Sequence, residues 1–197
     1  MGQKNNDAFV SDVSTFLADP PWQERGGGRR GADQHYPLMS VEQIHHTLLM
    51  ACPAGRQLSS TWTGYFFMWS TSNFAPDAHQ LGAMLRLRYV TDWVWVKARQ
   101  RLDGPGMQVR TGLGQYRRSS HETLLLFVAG RPTMPEKAWP SSVHMEWPTE
   151  HSRKPTWQYD VAECVGGTHV RRMELFARSR RAGWEAWGND VPREEVE

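Results

Sequence analysis

The sequence predicts an α/β fold in which a mainly parallel sheet carries helices on both faces. Short segments rich in β-branched and aromatic residues alternate along the chain with segments of helical periodicity, and this alternation is typical of parallel sheets. The length of 197 residues suits one domain with a substantial buried core. No repeat or low-complexity segment divides the chain, so we expect residues 1–197 to form a single domain.

Each element is predicted from a local signal. Apolar and aromatic runs mark the strands, and apolar residues at helical spacing mark the helices. A capping box from Ser40 to Gln43 opens the first helix, and Pro76 suits the first turn of the second. In chain order the predicted elements are a strand at 14–19, a helix from 40 that ends at 52–55, a strand at 62–69, a helix at 76–87, strands at 89–97 and 123–129, a helix at 155–165, and strands at 172–177 and within 182–189.

Two predicted connections, 20–39 and 98–120, are longer than ordinary loops and are rich in Gly and Arg. Long connections at the carboxyl ends of parallel strands often carry function. The stretch from Lys97 to Arg118 holds six basic residues and one acidic residue, Asp103. Concentrated positive charge attracts phosphates, although a plain solvated loop is the alternative.

Composition excludes several classes of protein. Two cysteines cannot build a disulfide framework, and the eight histidines form no zinc-ligand spacing, so we expect no metal site. The apolar run 65–69 is far too short to cross a bilayer, and the polar N-terminus contains no signal-peptide core. The expectation is a cytoplasmic protein in a reducing compartment.

The most informative stretch is Asp19-Pro20-Pro21-Trp22, directly after the first predicted strand. This combination forms a compact site for a planar amino group such as that of adenine, whose lone pair is delocalised into the ring. An enzyme that alkylates this nitrogen needs acceptors for its N–H bonds, here the Asp19 carboxylate and the carbonyl between the prolines, which we expect to be free. Trp22 offers a face on which a base can stack. Alternatively, the stretch is an ordinary turn with Trp22 covering the core.

Further motifs follow this one in a fixed order. They combine aromatic, glycine and charged residues at the predicted strand ends, and they are His35-Tyr36-Pro37-Leu38-Met39-Ser40, Phe67-Met68-Trp69, Trp93-Val94-Trp95-Val96-Lys97, Gly112-Leu113-Gly114-Gln115-Tyr116, His121-Glu122-Thr123-Leu124-Leu125-Leu126, Gly130-Arg131-Pro132, His151-Ser152-Arg153-Lys154-Pro155, Glu174-Leu175-Phe176-Ala177-Arg178, Gly183-Trp184 and Trp187-Gly188-Asn189. Over nearly its whole length, the chain resembles the DPPW-type, MT-A seventy-like adenine N6-methyltransferases. The match is closer to the bacterial and phage DNA methyltransferases than to the eukaryotic subunits.

The resemblance implies a Rossmann-like methyltransferase sheet in permuted order, with the catalytic motif first and the cofactor motif last. It implies S-adenosyl-L-methionine as the cofactor and Asp19, Pro20, Pro21 and Trp22 as the catalytic residues. The cofactor-binding residues that it implies are Lys154, Glu174, Phe176, Arg178, Asn189 and Asp190. Simpler roles stay open for three of these: a surface lysine at 154, a core residue at 176 and a turn residue at 189.

The implied reaction is transfer of a methyl group to N6 of adenine in DNA, with the base flipped out of the duplex. No separate target-recognition domain is expected, so the long loops must grip the strand. Candidate substrate-binding residues are His35, Tyr36, Arg110, Tyr116, Arg117 and Arg118. Alternatives are the same chemistry on RNA, a non-catalytic nucleic-acid-binding partner of the same fold, and methylation of a protein glutamine, which the Trp22 position and the motif order disfavour. Pairing of two copies on a palindromic site is compatible with the sequence, and the implied setting is a bacterial or phage-infected cell.

Overall fold

The structure is a computed structural model that describes residues 13–23, 38–112, 116–134, 140–149, 153–167, 170–189 and 191. These residues form nine strands and four helices. The strands are β1 (Thr15–Ala18), β2 (Gly64–Ser70), β3 (Arg88–Val96), β4 (Ala98–Gln100), β5 (Met107–Val109), β6 (His121–Ala129), β7 (Val143–Met145), β8 (Arg172–Leu175) and β9 (Glu185–Trp187), and the helices are α1 (Val41–Met50), α2 (Gly55–Leu58), α3 (Ala75–Met84) and α4 (Trp157–Gly166).

Seven of these strands form one sheet in the order β7-β3-β6-β2-β1-β8-β9. β6 runs antiparallel to both of its neighbours, β2 and β3, whereas the other neighbouring pairs in this sheet are parallel. The prediction of a mainly parallel sheet is therefore confirmed. The reversed direction of β6 was not predicted, and it brings the beginning of β6 to the edge where the parallel strands end.

The two faces of the sheet carry different helices, as predicted. Side chains alternate along each strand, so Phe16 of β1 faces the layer that contains α1 and α3, whereas Leu17 faces α4. Both side chains are almost fully buried. Burial of such a residue stabilises the fold by about 1.5–3 kcal/mol. The buried side chains of β2 and β6 add similar contributions, which together hold the sheet between its helices.

The capping box predicted at Ser40 is confirmed. The backbone N–H of Gln43 donates to Ser40 Oγ at 3.3 Å, and the backbone N–H of Ser40 donates to Gln43 Oε1 at 2.8 Å. Just before it, Met39 donates its backbone N–H to the Pro21 carbonyl at 2.8 Å and accepts from Gln23 at 3.0 Å. The start of α1 is thus attached to the turn that follows β1.

Two segments without predicted elements contain strands. β4 and β5 form an antiparallel hairpin within 98–120, and β7 pairs with the end of β3 in the stretch between the elements predicted at 123–129 and 155–165. These strands have only three residues each, which is too short for the alternation over four or more residues from which strands are predicted.

Candidate active site

The catalytic and cofactor motifs lie side by side although they are near opposite ends of the chain. β1 and β8 are parallel neighbours, with Leu17 opposite Glu174 and Ala18 opposite Leu175. The backbone N–H of Asp19 continues this ladder and donates to the Leu175 carbonyl at 3.4 Å. Both strands therefore deliver the residues that follow them to the same edge of the sheet.

The Asp19 carboxylate lies within an ion-pair network. Lys154 Nζ donates to Asp19 Oδ2 at 2.8 Å, and an Nη2 atom of Arg178 lies 3.7 Å from the same oxygen. The Asp19 side chain is 23% exposed, so it reaches solvent while its partners hold it. Lys154 is thus no plain surface lysine, because its ammonium is engaged at the centre of the site.

Glu122 completes the network and was absent from the residues predicted for the site. Its carboxylate lies 3.3 Å from Lys154 Nζ and 2.5 Å from Lys97 Nζ. If β6 ran parallel to β3, its first residues would lie beside the beginning of β3, far from Lys154. The antiparallel direction places Glu122 beside the end of β3, where His121 is opposite Val96.

Opposed effects set the protonation states of Lys154 and Glu122. Burial alone would lower the pKa of Lys154, but the carboxylates of Asp19 and Glu122 outweigh it and raise that pKa. Burial likewise opposes ionisation of Glu122, and the charges of Lys154 and Lys97 nevertheless lower its pKa. Both groups are therefore charged at neutral pH.

A cavity of about 450 Å³ opens beside Asp19. It is lined by residues from the ends of β1 and β8, the start of α4 and the segment after β8, and these are Asp19, Arg153, Lys154, Thr156, Gln158, Tyr159, Glu174, Phe176, Arg178, Ser179, Arg180 and Arg181. Its volume is typical of small-molecule sites. Carboxylates, guanidinium groups and aromatic rings all border it, so it can hold a ligand with both charges and an apolar part.

Glu174 and Tyr159 form the floor of this cavity. The Tyr159 hydroxyl donates to Glu174 Oε2 at 2.9 Å, and the Arg181 guanidinium lies 4.2 Å from the centre of the Tyr159 ring. Burial raises the pKa of Glu174, with the nearby charge of Asp19 adding to the effect. Tyr159 and Arg181 were not predicted for the site. Tyr159 is near Lys154 in sequence, but it has the spacing of an ordinary buried residue of α4, so no sequence signal marked its contact with Glu174.

Phe176 follows β8 with a backbone φ of +59°, which is unusual for a residue with a side chain. Its ring packs 5.6 Å from that of Trp187. Such strained residues cluster at ligand sites, where the surrounding structure holds them in place. Phe176 is half-buried, packs on the core and also borders the cavity.

Trp22 does not lie beside Asp19 in this cavity. Its indole is 8% exposed and stacks on Phe74 at 6.2 Å, and its Nε1–H donates to the Trp69 carbonyl at 3.1 Å. Trp22 borders a second cavity of about 330 Å³ between the turn, α1 and α3. The expectation of an open stacking face is therefore wrong, because packing against Phe74 covers most of the ring.

The carbonyl between the two prolines already accepts one hydrogen bond. Pro20 O accepts the backbone N–H of Trp22 at 2.9 Å, which closes a tight turn over three residues. A carbonyl has two lone pairs, so one acceptor position remains. Its use by a base amino group stays a prediction.

The other described candidate residues line neither cavity. Asn189 is exposed and does not line the cavity beside Asp19. Arg110, Tyr116, Arg117 and Arg118 are exposed in the segment that returns from β5 to β6. His35, Tyr36 and Asp190 lie outside the described residues.

Two absences hold for the described part of the chain. It contains no group of three or more metal-ligating His, Cys, Asp or Glu side chains. It also contains no helix that is both long enough and apolar enough to span a bilayer.

Comparison with known proteins gives a consistent result. The sequence profile of the MT-A70 family matches residues 13–190. The chain is 27% identical to the N6-methyladenosine RNA methyltransferase MTA1 of Cryphonectria parasitica, over 94% of this chain and 54% of that protein. It is 25% identical to the Type II methyltransferase M.MunI of Mycoplasma sp, over 92% of this chain and 79% of that protein.

A human relative is matched over a smaller share of its own length. The chain is 25% identical to the N(6)-adenine-specific methyltransferase METTL4 of Homo sapiens, over 93% of this chain and 38% of that protein. An MTA1 of Pyricularia oryzae is 25% identical over 91% of this chain and 47% of its own length. The chain thus spans about half the length of the MTA1 relatives.

Proposed function

The chain belongs to the MT-A70 family, and on this premise we propose that it is an S-adenosyl-L-methionine-dependent methyltransferase that acts on N6 of adenine in DNA. One observation carries the proposal. The Asp19 carboxylate borders a cavity that Glu174 and Phe176 also line. A group that can hold an amino substrate therefore borders a site suited to a charged, nucleoside-like ligand.

The residues of this cavity fit S-adenosyl-L-methionine. Glu174 can accept hydrogen bonds from ribose hydroxyls, and Phe176 can pack against the adenine ring. The guanidinium groups of Arg178, Arg180 and Arg181 border the same space and can bind a carboxylate. Lys154 is engaged by two carboxylates, so we assign it to holding Asp19 rather than to the methionine carboxylate.

When bound, the cofactor supplies a methyl group on a sulfonium. Asp19 accepts an N–H of the adenine amino group and orients its nitrogen. Positive charge develops on that nitrogen during transfer, and the fixed Asp19 carboxylate stabilises it. The surplus proton would pass to Asp19 or to solvent after the new N–C bond has formed and the methyl–sulfur bond has broken, so Asp19 need not remove it beforehand. Lys154 keeps the carboxylate in place throughout.

DNA is the proposed substrate because M.MunI, whose length this chain covers best among the named relatives, is a Type II methyltransferase. The similarity to M.MunI agrees with the resemblance of the sequence motifs to those of bacterial and phage DNA methyltransferases. RNA is the second candidate, since the relatives named MTA1 are RNA methyltransferases. In a duplex the adenine must leave the stack to reach Asp19.

The test is to incubate the purified protein and isotopically labelled S-adenosyl-L-methionine with matched DNA and RNA pools, then identify the modified nucleoside by mass spectrometry. We expect N6-methyl-2′-deoxyadenosine from the DNA pool. Label found only as N6-methyladenosine in RNA would select the second candidate. Cofactor binding without label in either pool would support the non-catalytic alternative.

The exposed basic segment after β5 provides a prediction about nucleic-acid binding. Replacing Arg117→Gln and Arg118→Gln together should weaken binding and reduce the slope of log affinity against log salt by up to about two phosphate contacts. Affinity for S-adenosyl-L-methionine should stay unchanged, since neither residue lines the cavity. Fluorescence anisotropy at several salt concentrations measures the slope.

A matched control replaces two exposed arginines away from this segment, Arg56 on α2 and Arg88 at the start of β3. Their double Gln variant should keep the wild-type slope. If both double variants behave alike, the segment after β5 does not grip the strand, and the Gly/Arg-rich stretch 25–30 becomes the better candidate.

A further inference from the structure

Four charged side chains form an alternating series that ends at the proposed catalytic carboxylate. Lys97 Nζ lies 2.5 Å from Glu122 Oε1, Lys154 Nζ lies 3.3 Å from Glu122 Oε2, and Lys154 Nζ lies 2.8 Å from Asp19 Oδ2. The signs run plus, minus, plus, minus. Glu122 lies between the two lysines, and it is not among the residues that line the cavity.

The lysine in the middle of this series has little freedom. Its ammonium is held by two carboxylates and lies 5.6 Å from the centre of the Trp69 ring. Trp69 is itself fixed, because its Nε1–H donates to Gln158 Oε1 at 2.6 Å. The side chains of Lys154 and Glu122 are 12% and 13% exposed, so solvent cannot replace a lost partner. Removal of one partner from such a buried pair leaves the other charge uncompensated.

The charge balance matters for the proposed reaction. Arg178 adds a further cation near Asp19. Without Glu122, the cations Lys154 and Arg178 at Asp19, together with Lys97 one step farther along the series, would carry an unbalanced positive charge beside the reacting nitrogen. Repulsion from these cations would raise the energy of the transition state. Glu122 offsets part of this positive charge and also fixes the direction in which the Lys154 ammonium points.

We propose that Glu122 is a positioning residue for methyl transfer, which holds Lys154 against Asp19 and offsets part of the positive charge near the reacting nitrogen. Lys97 anchors Glu122 from the other side. This inference rests on the proposed function for its effect on the rate. The charge pairing itself can be tested without any activity.

The rate test compares Glu122→Gln, which removes the charge and keeps the shape, with Glu122→Asp, which keeps the charge. Single-turnover methyl transfer should fall tenfold or more in Glu122→Gln, with cofactor affinity within threefold of wild type by calorimetry. Glu122→Asp should recover a substantial part of the rate. Glu146→Gln is the matched control, because Glu146 follows β7 beside the end of β3 and pairs only with His144 among the described ion pairs; its rate should stay within twofold of wild type.

The pairing test measures thermal unfolding of wild type and Glu122→Gln against pH. The charged groups that face Glu122 are Lys97 and Lys154, with Asp19 and Arg178 beyond Lys154. Because the pKa of Glu122 is lowered from 4.5, its stabilisation is present above that value and disappears as the pH falls through the lowered pKa. The Tm difference should thus be largest near neutral pH and shrink in acid.

The outcomes separate the two proposals. An inactive wild type whose Tm difference follows the expected pH dependence would overturn the proposed function and leave the pairing intact. A wild-type rate in Glu122→Gln, or a loss of rate fully explained by weaker cofactor binding, would overturn the positioning role. If Glu122→Gln fails to fold, Lys97→Gln tests the same series at its more exposed end. This variant should lose less rate than expected for Glu122→Gln, at unchanged cofactor affinity. An unchanged rate in Lys97→Gln would also overturn the positioning role of Glu122.

Discussion

Asp19→Asn should lower the single-turnover rate of methyl transfer by about 100-fold or more, because a fixed group that stabilises developing charge has effects of this order. The amide keeps the size of the carboxylate and one acceptor oxygen, but it carries no charge to balance the nitrogen as it becomes positive. Affinity for S-adenosyl-L-methionine should change by about fivefold or less, since one polar contact with a ligand is worth about 1 kcal/mol or less in net terms. Rapid-quench kinetics and calorimetry measure the two quantities.

The control for this variant is Asp103→Asn. Asp103 pairs with Arg101 on the exposed tip of the β4–β5 hairpin and lies outside both cavities. Its rate should equal that of wild type. A wild-type rate in Asp19→Asn would remove Asp19 from the chemistry and, with it, the proposed function.

Gly188→Ala should lower the free energy of unfolding by about 3 kcal/mol, at the upper end of the range for overpacked sites. A Cβ atom at this position would lie 2.2 Å from the Ala177 carbonyl oxygen and 2.6 Å from its nitrogen. Both obstacles are backbone atoms, so no side-chain rotation can relieve the clash. The segment after β8 must move, and the bond from Ala177 N–H to the Trp187 carbonyl at 3.0 Å would be strained.

The same change should weaken cofactor binding, because Ala177 lies between the cavity residues Phe176 and Arg178. Urea denaturation and calorimetry check the two effects. Gly112→Ala is the control, since its Cβ would lie 3.5 Å from Ser119 O, an ordinary contact distance. Equal stability of the two variants would contradict the close approach at Gly188.

The sequence was sufficient for the elements that carry an internal pattern. β1 and the capped α1 follow from apolar runs and from Ser40, and the strand-end positions of Asp19 and Glu174 follow from the strands before them. The spacing of apolar residues, however, does not show whether a strand runs parallel or antiparallel to its neighbours. The antiparallel direction of β6 depends on tertiary contacts with β2 and β3, so Glu122 could not be placed beside Lys154 in advance.

The roles of aromatic residues were the second feature that the sequence alone could not predict. A tryptophan after a Pro-Pro turn can cover a core or present a face to a ligand, and its own neighbours in sequence do not decide between these. The deciding partner of Trp22 is Phe74, which lies in another part of the chain. Conversely, Tyr159 has the spacing of an ordinary buried helix residue, and only the position of Glu174 on the neighbouring strand gives its hydroxyl a partner in the cavity.

The central position of β1 has a consequence for biosynthesis. β1 leaves the ribosome before the other described strands, but one of its two edges pairs with β8, which follows all of them except β9. Until residues 172–175 have emerged, that edge stays unpaired and can associate with other chains. Pairing between such distant segments is slow because a long loop must close first. We therefore expect the Asp19 site to assemble only at the end of folding, with chaperone dependence concentrated on chains that are still incomplete.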